Sequence, residues 1–98
     1  MSIHSFWPAS RLAAAIQKGE LSAVDALEGC IERIEHFDGA LNAVCVRLFD
    51  EARDRARAAD EAQARGDFWG PLHGVPVTVK EAYDVAGTPT TWGLAERA

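Results

Sequence analysis

Cysteine is scarce: only Cys30 and Cys45 occur, too few for a disulfide framework and in no zinc-binding spacing. Each reads as a small apolar filler in a reducing compartment. Long hydrophobic runs are missing as well. The longest, Leu12-Ala13-Ala14-Ala15-Ile16, falls far below the ~20 residues a membrane span needs. Residues 1–8 lack a basic stretch followed by an apolar one, so no secretory signal is visible, and the cytoplasm is the expected location with no membrane partner. Positive charge is in deficit, 15 acidic residues against 10 basic ones for a net charge of −5. A nucleic-acid binder needs a basic footprint to displace phosphate counterions, so no nucleic-acid partner is expected. The three histidines, His4, His36 and His73, share no ligand spacing, and neither a metal nor another cofactor is expected. Serine is also sparse: Ser2, Ser5, Ser10 and Ser22 all lie in the first quarter.

What is present is the composition of an ordinary soluble protein, 48% hydrophobic and 26% charged over 98 residues. That length suits one small domain or one piece of a larger one. Such a chain buries roughly 60–65% of its unfolded surface, a modest core.

The first 40 residues read as helical. Ser10 is placed to cap a helix through Lys18, with Leu12, Ala15 and Ile16 on one face and Gly19 as the stop. Ser22-Ala23-Val24-Asp25 resembles a capping box with Asp in place of Glu, opening a helix to about Phe37. Val24, Leu27, Ile31 and Ile34 form its apolar stripe, while Glu28, Glu32, Arg33 and Glu35 read as a solvated face. Asp38-Gly39 is the expected end. Val44, Cys45 and Val46 favour a short buried strand within 41–48. From Phe49 to Arg65 the pattern is helical again, with a small inward stripe of Phe49, Ala52, Ala56 and Ala59 suited to close approach to a sheet. Glu51–Arg55 and Glu61–Arg65 are favourable i,i+4 pairs. Arg53, Arg55 and Arg57 alternate with acids, which reads as a solvated face rather than an anion site.

Gly66-Asp67 breaks that helix, and Gly70-Pro71 marks a turn. Val75, Val77 and Val79 then alternate as a strand, with Pro76 at its start or on an edge. Strand, helix and strand make a right-handed βαβ crossover with parallel strands. The expected fold class is therefore α/β: a helical segment over 1–40, then a βαβ unit over 41–98 with a Gly/Pro/Thr loop from Gly87 to Gly93.

On this reading Lys80 stands at the carboxyl end of a parallel strand, where open α/β sheets mount ligands and catalytic groups. The apolar flank Val75-Pro76-Val77-Thr78-Val79 suggests burial. Burial strips hydration from an amine and favours its neutral form, which can act as a general base. The plainer reading is a lysine that reaches solvent or pairs with Glu81 or Asp84. His73, beside glycine in an apolar turn, reads either as a base or ligand or, more simply, as an imidazole hydrogen-bonded to loop backbone. Gly70-Pro71-Leu72-His73-Gly74 ahead of a lysine is not a phosphate loop, because the lysine follows a strand rather than the glycines.

The run Gly70-Pro71-Leu72-His73-Gly74-Val75-Pro76-Val77-Thr78-Val79-Lys80, followed by Val85-Ala86-Gly87-Thr88-Pro89-Thr90-Thr91-Trp92-Gly93, resembles the opening signature of the amidase signature family. Gly19-Glu20-Leu21-Ser22, Arg33-Ile34-Glu35 and Leu41-Asn42-Ala43 follow the order of its N-terminal region. The resemblance implies a larger α/β/α fold with a mixed central sheet, of which 1–98 is the N-terminal part. It implies hydrolysis of carboxylic amide C–N bonds by a Ser–cis-Ser–Lys triad, with Lys80 as the triad lysine. It implies a small-molecule amide substrate and, as a partner, the rest of the amidase domain or another subunit. None of the four serines stands in a Gly-Ser-Ser-Gly setting, so this chain is expected to hold only the lysine and to be inactive alone. Glu81 and Leu94 depart from the family's usual Asp and Ser, and Trp92 is a candidate for an acyl pocket. The alternatives are a non-catalytic interaction module derived from the amidase N-terminus, or a Schiff-base lysine enzyme.

Overall fold

Signals at the helix ends decide where each helix begins and stops. The computed structural model describes residues 3–80 and 83–88. After a 3-10 turn at Ile3–Phe6 come three α-helices: α1 (Ala9–Gln17), α2 (Ala23–Leu41) and α3 (Phe49–Ala64). Helix α1 starts earlier than expected. Pro8, not Ser10, is the cap, with φ −64° and ψ 156°. Its ring fixes φ at the value a helix entrance tolerates, and its carbonyl accepts from the N–H groups of Arg11 and Leu12 at 3.0 and 3.1 Å. At the other end Gly19 turns left-handed (φ 76°). Gly19 N–H donates to Ile16 and Glu20 N–H to Ala15, a Schellman closure. Helix α3 closes the same way at Gly66, with Gly66 N–H on Gln63 and Asp67 N–H on Ala62.

Helix α2 carries a shared cap. Ser22 Oγ accepts from Asp25 N–H at 3.0 Å, as its sequence position suggests. The preceding two amides are held from another helix: Ala23 N–H donates to Asp60 Oδ1 at 2.7 Å and Val24 N–H to Asp60 Oδ2 at 3.2 Å. The helix also passes through Asp38-Gly39, the expected end, and closes a turn later on left-handed Asn42. Asp38 acts on the exit with its side chain. Buried at 6% exposure, it accepts from Ala43 N–H (2.6 Å), Val44 N–H (3.2 Å) and Arg47 Nη2 (3.2 Å). The Ala43 amide, with those of Val44 and the Arg47 guanidinium, holds the carboxyl below the usual carboxylate range.

Two small apolar clusters hold the helices together. Leu12, Ile16 and Ala26 pack with Trp7, Leu21 and Val75. Ala23, Ala56 and Ala59 pack with Val24 and Leu27 where α2 meets α3. The alanine stripe of α3 thus serves close approach to a helix, not to a sheet, and it shifts one turn along, to Ala56, Ala59 and Ala62. Arg53 and Glu28, expected on solvated faces, instead pair across this contact at 2.6 and 3.2 Å. The guanidinium lowers the Glu28 pKa from its ordinary value.

The expected βαβ unit is not seen. Helix α3 lies between the two anticipated strand segments, but the described residues contain no strand and are helical in class. The physical reason lies in the available partners. Leu41 is drawn into α2, Asp38 takes the amides of Ala43 and Val44, and Val75 N–H turns back to Leu72. Two short segments with no third strand beside them have too little ladder to form a sheet.

Candidate active site

The loop before Lys80 is fixed by one imidazole and one glycine. His73 is buried at 7% exposure. Its Nδ1 accepts from Trp69 N–H at 3.0 Å, while Nε2 lies 2.8 Å from the Ala59 carbonyl of α3. A carbonyl only accepts, so Nε2 carries the proton and the ring is neutral. Phe68 and Trp69 flank the imidazole, with ring centroids at 5.5 and 4.9 Å. The Arg55 guanidinium stacks 4.8 Å from the Trp69 ring, so this arginine anchors the loop rather than facing water alone. His73 therefore fills the structural role its sequence setting suggested, with both ring nitrogens engaged.

Gly74 follows with φ 82°. A Cβ there would stand 3.1 Å from both Ala23 Cβ and Ile16 Cγ2. The turn is thus pressed onto the junction of α1 and α2, where no side chain fits. Val75 adds its side chain to the Leu12–Ile16–Ala26 cluster. Together His73, Gly74 and Val75 tie the first half of the sequence signature to all three helices.

Beyond this anchor, residues 76–80 border an open cleft of about 930 Å³. Leu27, Ile31 and Ile34 of α2 form its floor, with Phe49 and Ala52 of α3, and residues 43–46 and Leu48 on the side. Lys80 stands on its rim beside Tyr83, Val85 and Thr88. Tyr83 N–H donates to the Lys80 carbonyl at 3.0 Å, and Thr88 closes a small turn on Val85 O. The expected burial of this flank is not met: Val77 and Val79 are 75% and 58% exposed, and Lys80 is exposed too. Among the described residues, nothing covers the open side of the cleft to desolvate the amine.

Among the described residues no serine lines this cleft. Ser22 is committed to capping α2. Among the described residues no group of three or more His, Cys, Asp or Glu is arranged to hold a metal, and no helix is long and apolar enough to cross a membrane. Glu81, Trp92, Leu94 and the rest of the loop beyond Thr88 lie outside the described residues.

Sequence reasoning missed two features here. Cys30 and Cys45 both line the cleft, and burial raises the Cys30 thiol pKa from its ordinary value. Asp60 was also missed. Its signal was its position four residues after Ala56, a carboxylate on the stripe that faces α2.

The comparisons with known proteins agree in direction. The family model described as Amidase matches residues 25–98. Indoleacetamide hydrolase of Bradyrhizobium diazoefficiens is 44% identical over 88 residues, 90% of this chain and 17% of that protein. An amidase of Pseudomonas putida is 43% identical over 82 residues, 84% of this chain and 17% of that protein. The glutamyl-tRNA(Gln) amidotransferase A subunit of Thermobifida fusca is 42% identical over 83 residues, 85% of this chain and again 17% of its relative. The chain thus spans about one sixth of the length of the relatives it matches.

Proposed function

This chain belongs to the amidase family, and from that premise we propose that it is the N-terminal part of a hydrolase of carboxylic amide C–N bonds, contributing the lysine of a Ser–cis-Ser–Lys triad through Lys80. The observation that carries the reading is the placement of Lys80. It follows an anchored loop and stands on the rim of an apolar cleft, within the segment that matches the family. A serine hydroxyl is a poor nucleophile until a neighbouring base removes its proton. Here the amine is the base. It would take the proton of a bridging serine, which in turn takes that of the nucleophile, and both serines belong to the remainder of the domain. The apolar walls suit the role, because a covered cleft disfavours the ammonium and keeps water from the acyl intermediate. Among the described residues no serine lines the cleft, which supports the reading that this stretch alone would not turn over amides. The substrate is a small carboxylic amide; which one is set by residues outside this chain.

A chimaera tests the assignment. The stretch of the Pseudomonas putida amidase that aligns with this chain is replaced by the chain itself, and hydrolysis of simple amides is followed. The chimaera should be active, and Lys80→Met should lower kcat by roughly 10²–10⁴-fold, the usual worth of a general base, with thermal unfolding unchanged. A Lys80→Met chimaera that keeps its rate removes the lysine from the mechanism.

A second reading, a non-catalytic interaction module derived from an amidase, draws on the open cleft itself. A sharp cooperative unfolding transition for the 98 residues alone would favour it; a molten chain would count against it.

A further inference from the structure

His73 makes two hydrogen bonds of opposite sense, and only one charge state of the ring supports both. Nε2 donates to the Ala59 carbonyl of α3 at 2.8 Å, while Nδ1 accepts from Trp69 N–H at 3.0 Å. A second proton makes Nδ1 a donor, so two N–H groups would meet head-on with no acceptor between them. The residue is 7% exposed, so water has little access to make good the loss. The charges on the surrounding elements do not remove this conflict. On α3 they are Arg55 and Asp60, either side of the Ala59 that holds Nε2. The Arg55 guanidinium lies 4.8 Å from the Trp69 ring, so that ring already faces one cation. Both Asp60 oxygens accept from the amides of Ala23 and Val24. At the junction of α1 and α2 the turn meets Ile16 and Ala23, which carry no charge. On its own loop the ring is flanked by Phe68 and Trp69, and Asp67 is exposed. None of these side chains is hydrogen-bonded to Nδ1, whose partner is the Trp69 amide.

We infer that His73 is an acid-sensitive latch: proton uptake at Nδ1 releases the loop of residues 68–74 from α3, and with it the segment that leads to Lys80. The closed loop holds the neutral ring, whereas the released loop accepts either form. An unbonded imidazole takes up its second proton at about pH 6.5. Proton uptake belongs to the released state, so falling pH favours release. Closure is therefore complete well above that value and loses ground below it. From about pH 7.5 to about pH 5.5 the ratio of released to closed loop rises about tenfold. Gly74 and Val75 are drawn into the same event, because they press the end of this turn onto the α1–α2 junction. The Asp38 and Glu28 carboxyls titrate below the usual carboxylate range, so their steps stay separate from this one. What release does to the Lys80 amine rests on the amidase reading above; the latch itself does not.

Amide hydrogen exchange on the full 98-residue chain reads the latch at Trp69 N–H. Its protection factor, which removes the intrinsic pH dependence of exchange, should fall about tenfold from about pH 7.5 to about pH 5.5. That of Lys18 N–H, held by the Ala14 carbonyl at 3.0 Å in α1, should stay level. His73→Asn sets an amide oxygen near the place of Nδ1, an acceptor that does not titrate. Its Trp69 protection should be independent of pH over the same range. Imidazole nitrogen shifts in NMR give a readout that needs no variant. At the upper pH His73 should show a bare Nδ1 and a protonated Nε2. The doubly protonated ring should appear only together with a displaced Trp69 amide resonance. Three results overturn the latch: a Trp69 protection factor flat over that range, a fall equally large in His73→Asn, or a doubly protonated ring with the Trp69 resonance unmoved. All three are read without catalysis. A chimaera that keeps its rate with Lys80→Met rejects the lysine and leaves the latch standing, while a flat Trp69 profile rejects the latch and leaves the lysine.

Discussion

Replacing Asp60 by alanine should cost more than its half-buried position on α3 suggests, because it frees the first turn of a different helix. Ala23 and Val24 N–H groups lose their acceptors at 2.7 and 3.2 Å. Hydrogen bonds to a charged acceptor are worth about 1.5–3 kcal/mol each. Taking the short bond near ~2 and the long one near ~1, and allowing for partial water replacement, the expected loss is about 2–3 kcal/mol. A further ~0.3–1 kcal/mol comes from removing a negative charge at a helix N-terminus. For a chain of this size each kcal/mol lowers Tm by about 4–8 °C, so a fall of roughly 10 °C or more follows. Asp60→Asn keeps one carbonyl acceptor but sets an NH₂ against the second amide, and should lose about half as much. Ser22→Ala removes one neutral bond to Asp25 N–H and should cost about 1 kcal/mol. Circular dichroism at 222 nm gives Tm, and amide hydrogen exchange gives the site. Ala23 and Val24 should lose protection in Asp60→Ala while Asp25 keeps it. If Tm is unchanged and exchange at Ala23 and Val24 matches the parent chain, the cross-helix cap does not stabilise α2.

Three further outcomes are expected. The Asp38 carboxyl titrates below its unfolded value, so its contribution is complete above about pH 4 and is lost as pH falls through the lower folded value. The Ala43 and Val44 amide resonances should shift together below pH 4, and Asp38→Asn should remove that step while leaving the parallel one from Glu28. Gly74→Ala should destabilise by about 2–3 kcal/mol, combining a left-handed residue with overpacking against Ala23 and Ile16. Gly66→Ala, facing open space, should cost only about 1 kcal/mol; equal losses would show that Gly74 is not a packing contact. His73→Ala should cost about 2–4 kcal/mol by leaving the Trp69 N–H and Ala59 C=O unpaired. It should also red-shift Trp69 emission, and an unshifted spectrum with unchanged Tm would exclude the bridge.

Helix existence was legible because it rests on local periodicity and end signals: Gly19, Gly66 and Ser22 act where their chemistry places them. Helix ends were less so. Pro8 displaced Ser10, and Asp38 closes α2 from within rather than by stopping it, since both depend on which backbone groups a folded neighbour leaves free. The Asp60 cap and the Arg53–Glu28 pair join residues 37 and 25 positions apart, beyond what a local pattern reports. The strands failed for a related reason. Alternating valines show a readiness to pair, but pairing needs a partner, and the described residues hold none. Of the candidate site, the anchoring of His73 was legible from its turn. The setting of Lys80 was not: the strand and the burial expected around it are absent among the described residues, because both need partners that a local pattern does not report.

The anchor at Gly74 also sets a tether. Lys80 lies six residues beyond it, a reach of at most about 20 Å. Even in free motion, an amine on so short a leash samples a volume that gives it an effective concentration on the order of tens of millimolar around the helices. Release of the loop would move the last fixed point back to the end of α3 at Gly66, fourteen residues from Lys80. Effective concentration falls roughly as the −3/2 power of tether length, so the amine would be diluted about fourfold. A glycine and an imidazole six and seven residues before Lys80 would then set the rate at which its amine meets a partner group.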